Sequence, residues 1–340
     1  MIKWFDFPDK RFAISGIAWF GEEKPSIRRL PTRLKGIFRE PVWELAQHPS
    51  GGRIRFQTDA LRIGIKALTP DNAVMHHITL IGQSGFDIYA DDTYLGSAWP
   101  DRTGKNEAEW TVGDKRKMRD ITIHLPLYKN VEIQQIGVEK GTTIRPPNSF
   151  IIKKPVVFYG SSITQGGCAS NPGSTYQAFL SRWLNLDFIN LGFSGNGMGE
   201  PELAHAICEI DSSCIVLDHW ANIGLDLKEN LPVFTGTLRK KFPEVPIAVV
   251  TPFFFSREFC GNCVNSKIRK NVEQFVKQKR KEGDRNIHLI DGLRLLSQKE
   301  SYGLVDGVHC NTLGFYFIAR GMEPYLRRIL CLKNVFSGKQ

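Results

Sequence analysis

The stretch "VVFYGSSITQGG", residues 156–167, decides the fold. Four apolar or aromatic residues read as a buried strand, and the strand ends in a glycine, two serines and a polar turn. Outward from it, residues 153–340 alternate apolar runs with helix-period segments. The strands read as "PVVFYG", "DFINLG", "SCIVLD", "PIAVVT" and "NIHLID", with helices expected near 174–185, 200–209, 229–242, 266–282 and 311–329. Fully apolar strands separated by helices predict a five-stranded parallel sheet covered on both faces, a three-layer α/β/α arrangement of the flavodoxin-like kind. Ligands in such sheets bind beyond the carboxyl ends of the strands.

Residues 1–150 follow a different rhythm. "RIRFQTDALRIGIKAL" places Ile54 and Phe56, then Leu61, Ile63 and Ile65, at spacing two, and "FDIYADDTYLGSAW" gives two strand-like runs around Asp91 and Asp92. "ITIHLPLY" and "VEIQQIGV" repeat the alternation. Short alternating strands without a long helical segment predict an all-β sandwich or jelly roll. The expected division is therefore an accessory β domain over 1–150 and an α/β/α domain over 151–340.

Composition bounds the function. Of 340 residues, 41% are hydrophobic and 24% charged, as in folded globular chains. The net charge of +10 is spread over both parts, with 22 basic and 18 acidic side chains in residues 1–150 and 23 and 17 in the remainder. Neither part is a basic module, so no nucleic-acid partner is expected. The densest basic stretch, "KIRKNVEQFVKQKRK" (267–281), keeps Ile268, Val272, Phe275 and Val276 on one face and reads as the solvated back of a helix. No apolar run is long enough for a membrane span, and "MIKWFDFPDKRFAISG" lacks the layout of a secretory signal, so a cytoplasmic, membrane-free protein is expected. All seven cysteines lie after residue 150, an odd number that argues against a disulfide framework. "CGNC" (Cys260–Cys263) has no second pair and reads as incidental thiols, so no metal site is expected.

The loops after the strands carry the chemistry. The first holds Ser161 and Ser162, the second "NLGFSGNG" with Gly195, the third "DHWANIG" with Asp218, His219 and Asn222, and "VDGVHCNTLG" before the last helix holds Asp306 and His309. A serine hydroxyl is a poor nucleophile until a base takes its proton, and that base needs a partner to fix its tautomer. Asp306 and His309, three residues apart, suit the second role. The backbone N–H groups of Ser162 and Gly195 and the Asn222 amide suit an oxyanion hole. His219, Phe253 and Phe254 are candidate substrate contacts, with core packing as the alternative for each. Asp218 reads as a brace at its strand end. His48, His76, His77, His124, His205 and His288 have no motif company and read as structural. Trp4, Trp19, Trp43, Trp99 and Trp110 allow either sugar stacking or burial.

In these four blocks, "GSSIT", "NLGFSGNG", "HWANIG" and "DGVH", residues 153–330 resemble the SGNH hydrolases, or GDSL-type esterases. The front β domain is similar to that of a subgroup associated with carbohydrate and other small esters. The resemblance implies a serine esterase without a cofactor, with Ser162 as nucleophile, His309 as base and Asp306 as its partner. Its substrate would be a small ester such as that of an acylated, for example acetylated, carbohydrate. Acyl transfer to a sugar or metabolite hydroxyl, and a non-catalytic glycan-binding protein on a degenerate hydrolase scaffold, are the alternatives. Two residues depart from the family pattern: Ser161 stands where Asp is common, and "WAN" replaces Gly-x-Asn-Asp. Oligomeric state is not legible from the chain.

Overall fold

The computed structural model describes residues 1–71 and 73–333. In chain order its strands are β1 (Ile2–Asp6), β2 (Ala13–Ser15), β3 (Arg53–Thr58), β4 (Arg62–Leu68), β5 (Phe86–Ala90), β6 (Thr93–Ala98), β7 (Lys105–Thr111), β8 (Arg119–His124), β9 (Glu132–Glu139), β10 (Ile144–Arg145), β11 (Ile152–Gly160), β12 (Leu186–Gly192), β13 (Cys214–Asp218), β14 (Ile247–Val250) and β15 (Ile287–Ile290).

The first ten form two antiparallel sheets. One runs β1-β9-β4-β7; the other runs β10-β3-β8-β5-β6, with β2 also paired to β3. Alternation sends Ile54, Phe56, Ile63, Ile65, Phe86, Ile88, Ile121, Ile123, Ile136 and Val138 into one core shared by both sheets. At the tip of the β5–β6 hairpin, Asp91 and Asp92 take φ of 48° and 66°. Two consecutive left-handed residues form the turn whose twist matches paired strands.

The last five strands form a parallel sheet in the order β12-β11-β13-β14-β15. Each coincides with one of the apolar runs of the sequence. Helices Tyr176–Leu184 and Thr312–Ile329 pack together on one face, and Pro201–Ile207, Leu227–Lys241 and Val264–Lys281 pack in succession on the other. The basic helix buries Ile268, Val272 and Val276 and turns most of its cations outward. The chain starts at β11, steps out to β12 and returns past it to β13. The connections on either side of β11 therefore leave in opposite directions, which makes its carboxyl end the switch point of the sheet, the place where ligands bind in such folds.

The accessory part is not wholly β. Helix Glu40–Ala46 buries Val42, Trp43 and Ala46, and these join the α/β core together with Trp19, Leu30, Phe38, Ile78, Leu127 and Tyr128. Apolar residues at one-turn spacing in a two-turn helix escape an alternation search, which explains their absence from the strand pattern. Among the described residues no helix is long and apolar enough to cross a membrane.

Candidate active site

β11 ends at Gly160 and passes into a single helical turn, Ser162–Gln165, closed by Gly166 in the left-handed conformation. Ser161 caps this turn: its Oγ accepts the Ile163 N–H at 3.3 Å. Ser162 is the first residue of the turn and only 6% exposed. Its carbonyl accepts from the N–H of Gly166 (3.0 Å) and Gly167 (2.8 Å) and from the Tyr128 hydroxyl (3.1 Å), so the backbone of Ser162 is held from its own turn and from the N-terminal part.

His309 arrives from the loop before the last helix. Its Nε2 lies 2.9 Å from Ser162 Oγ, and its Nδ1 lies 2.7 Å from Asp306 Oδ2. An ionised carboxylate can only accept, so Nδ1 carries the ring proton and donates it to Asp306. Nε2 is then the bare nitrogen, and the Ser162 hydroxyl donates to it. The other Asp306 oxygen, Oδ1, accepts the N–H groups of Val308 (3.0 Å) and His309 (2.8 Å). Burial pushes the Asp306 carboxyl up, but the His309 amide, the His309 imidazole and the Val308 amide outweigh it and hold the carboxyl at about 2.

The loop after β12 supplies donors. Gly195 has φ +68°, a conformation L side chains rarely adopt, and a Cβ there would meet no atom within 4 Å, so the amide lies in an open turn. At Gly197 a Cβ would come 2.4 Å from the Gly160 carbonyl, so only glycine lets this loop approach the end of β11. The Gly197 N–H donates to Asn222 Oδ1 at 3.0 Å, which fixes the amide of Asn222 despite the altered residues around it. Among the described residues the N–H groups of Ser162 and Gly195 and the Nδ2 of Asn222 have no protein acceptor. Three donors on three adjoining loops are thus left unspent.

The remaining candidates lie elsewhere. His219 is 1% exposed, packed on Tyr159 and Phe234 with ring centroids at 5.0 and 5.4 Å, and its Nε2 meets Asn230 Oδ1 at 3.3 Å. Burial lowers its imidazole to about 4, so it is a neutral core residue that offers a substrate almost no surface. Phe253 and Phe254 are likewise buried; Phe253 and its neighbour Phe255 pack against Trp220 at 5.0 and 5.1 Å. For these three the structure gives the core alternative, because the residues after β13 and β14 turn into the layer beneath the loops. Asp218 braces: Oδ1 accepts the Trp220 indole N–H at 2.7 Å, and Oδ2 accepts the hydroxyls of Thr164 and Tyr176, both at 3.4 Å. Cys260 and Cys263 are free and exposed, and Trp99 is exposed while Trp19, Trp43 and Trp110 are buried.

Sequence reasoning missed the contribution of the accessory domain. The Tyr128 hydroxyl donates to the Ser162 carbonyl, Ser50 Oγ donates to the Gln165 carbonyl at 2.6 Å, and Gln165 Nε2 reaches the Leu127 carbonyl at 3.1 Å. His77, read as structural, lies 5.6 Å from His309 between ring centroids. No local motif marks these residues, since each acts across more than thirty positions.

Residues 153–327 match the model of the GDSL-like Lipase/Acylhydrolase family, and residues 2–144 match that of the N-terminus of Esterase_SGNH_hydro-type proteins. Among solved structures, a protein described as a GDSL-like lipase from Bacteroides ovatus is 29% identical with a TM-score of 0.88, covering 98% of this chain and 99% of its own. The salicylyl-acyltransferase SsfX3 of a tetracycline biosynthetic pathway is similar in fold at 19% identity, with a TM-score of 0.79 and 99% of both chains covered. A family two carbohydrate esterase from Clostridium thermocellum, in complex with cellohexaose, shares the fold at 12% identity with a TM-score of 0.63, over 97% of this chain and 99% of that one. No curated protein matches the sequence significantly. With a family model spanning more than half of its 340 residues and the four sequence blocks brought to one edge of the sheet, the chain belongs to the GDSL-like lipase/acylhydrolase, or SGNH hydrolase, family.

Proposed function

We propose that the protein is a serine esterase that cleaves a small acyl group, an acetyl group in the first instance, from a polar alcohol such as a carbohydrate. The observation that carries this reading is the relay from Ser162 Oγ through His309 to Asp306, at 2.9 and 2.7 Å, with unspent donors at Ser162 itself and on the adjoining loops. Ser162 Oγ attacks the ester carbonyl carbon while His309 Nε2 takes its proton. The carbonyl oxygen becomes an oxyanion received by the N–H groups of Ser162 and Gly195 and by Asn222 Nδ2. Collapse expels the alcohol, which takes the proton from His309, and leaves an acyl-serine. Water attacks that ester with His309 again as base, restoring the serine and releasing the acid.

Two features favour a short acyl group and a polar alcohol. The aromatic run after β14, the natural lining of a long acyl channel, is spent in the core. The loop beside Gly195 is polar, with Asn196 Oδ1 accepting from Arg39 Nη1 at 2.9 Å. The carbohydrate esterase among the structural neighbours has the same two-part layout, which supports the fold and leaves the substrate to experiment.

The test is hydrolysis of nitrophenyl acetate and of acetylated sugars against longer acyl esters, with fluorophosphonate labelling in parallel. Ser162→Ala is expected to lower kcat by about 10⁴ to 10⁶ and to abolish labelling. Retained hydrolysis in that variant would remove the serine mechanism, and absence of labelling in the native protein would favour a binding role. Transfer to an added sugar alcohol at saturating concentration, in place of release of free acid, would identify an acyltransferase.

A further inference from the structure

His77, Cys168 and His309 form a group that the reaction does not need as a group. They come from three distant segments: the accessory domain, the loop after the nucleophile's turn, and the loop before the last helix. Each offers one donor atom, and the three donors lie within 4.8 Å of one another, the one such group of three or more His, Cys, Asp or Glu side chains among the described residues. The His77 and His309 rings are 5.6 Å apart. Cys168 is buried and its backbone is left-handed, φ +72°, in a stretch where glycines precede it. A non-glycine residue at such a φ calls for a reason in its side chain.

We propose that these three residues bind a soft divalent cation, zinc above all, and that its binding reversibly shuts off the active site. Two imidazoles and a thiolate are a donor set suited to zinc, and three protein ligands leave a fourth position for water. Zinc–nitrogen bonds of about 2.0 Å and zinc–sulfur bonds of about 2.3 Å bring tetrahedral donors under roughly 4 Å apart, so closure needs a shift of about 1 Å. The exposed His77 side chain can supply it.

Of the His309 nitrogens, Nδ1 is held by Asp306, so the metal takes Nε2, the atom that otherwise accepts from Ser162. Asp306 then plays the part of the carboxylate behind a metal-bound histidine, orienting it and raising its basicity. Coordination releases the Cys168 thiol proton to solvent and leaves the serine without a base. Inhibition therefore follows from occupation of one nitrogen, with no change of fold.

This proposal rests on the assignment of His309 as base, so its test needs a readout independent of turnover. Cobalt(II) is titrated into the protein carrying Cys260→Ser, Cys263→Ser and Cys331→Ser, which removes the three exposed thiols, and thiolate-to-cobalt charge-transfer absorption is followed. The band is expected in this background and with Ser162→Ala added. Cys168→Ser should abolish it, and His77→Ala should weaken cobalt binding at least tenfold. In parallel, zinc should inhibit ester hydrolysis and a chelator should restore it. Cys168→Ser and His77→Ala should hydrolyse at the native rate in chelator, which also reports that they fold, and should need at least tenfold more zinc for inhibition. Absence of the band, a band that survives Cys168→Ser, or equal zinc sensitivity of native and variant proteins overturns the site. If the band behaves as expected but Ser162→Ala retains hydrolysis, the esterase reading falls and the metal site stands.

Discussion

At the scale of single residues, the proposed mechanism separates groups that move the proton from groups that receive charge. In that proposal Asn222 belongs to the second kind. Its Oδ1 is already committed to the Gly197 N–H, so the side chain is pre-set and Nδ2 costs no reorganisation when an oxyanion forms. Asn222→Ala is therefore expected to lower kcat by about 10² to 10³, with KM little changed, far less than the loss at Ser162. Steady-state kinetics on a short ester decide the matter; a tenfold or smaller effect on kcat would remove Asn222 from the oxyanion site. The meeting of Ser162 with His309 and of His309 with Asp306 was legible in the sequence because these residues, like Gly195 and Asn222, lie in loops or single turns that follow the strands, and chain order already puts those segments at one edge of the parallel sheet. His219, Phe253 and Phe254 were not correctly separable from core residues. Position in a loop says nothing about which way a side chain turns, and burial decided all three.

At the scale of elements, the five parallel strands could be read because buried strands are short apolar runs, and the helices because their apolar faces recur every turn. β1, β2, β7 and β10 were not read. β7, "KNEAEWT", fully buries only Asn106 and Trp110, which is too faint a pattern to distinguish from a loop. What an element encloses was equally hidden. Asp218, the last residue of β13, is a carboxyl that burial lifts to about 7 despite hydrogen bonds from Trp220, Thr164 and Tyr176. Folding thus raises its pKa from 3.8 to about 7. Across that window the folded chain holds a proton that the unfolded chain releases, so this residue's contribution to stability falls as pH rises and is level above the window. Asp218→Asn keeps an acceptor for Trp220 but cannot titrate. The stability of native protein minus that of the variant, from urea midpoints, is expected to fall on the order of 2–4 kcal/mol between about pH 4.5 and about pH 7.5. A difference independent of pH would show that Asp218 ionises normally within the fold.

At the scale of the whole molecule, two buried arginines of the accessory domain join the parts. Arg53 pairs with Asp187 and donates to the Phe188 carbonyl at 3.1 Å. Arg29 is 1% exposed, and its hydrogen bonds go to backbone carbonyls: His48 (2.8 Å) and Leu45 (2.7 Å) in its own segment, Asn190 (3.3 Å) and Gly192 in β12. Burial lowers its guanidinium to about 9, still charged at neutral pH. β12 is an edge of the parallel sheet, and this contact covers its end where the Gly195 loop begins. Nothing in the sequence signals it, since Arg29 and Gly192 are 163 positions apart. If the N-terminal part merely stood beside the α/β part, losing Arg29 would leave the proposed ester hydrolysis and the unfolding of the α/β part untouched. The geometry argues otherwise, because its fork of donors satisfies carbonyls in both parts at once, and a lysine ammonium cannot reproduce that fork. Arg29→Met, which fills the space without donors, is expected to cost at least about 3 kcal/mol, the sum of several orphaned carbonyls. Arg29→Lys should fall between it and the native protein. Denaturation followed by intrinsic fluorescence should show one transition in the native chain, shifted down in both variants and accompanied by loss of hydrolysis at the same denaturant concentration. Two separate transitions in the native chain, with hydrolysis tracking only the second, would mean that the domains fold alone and that Arg29 is no more than a contact between them.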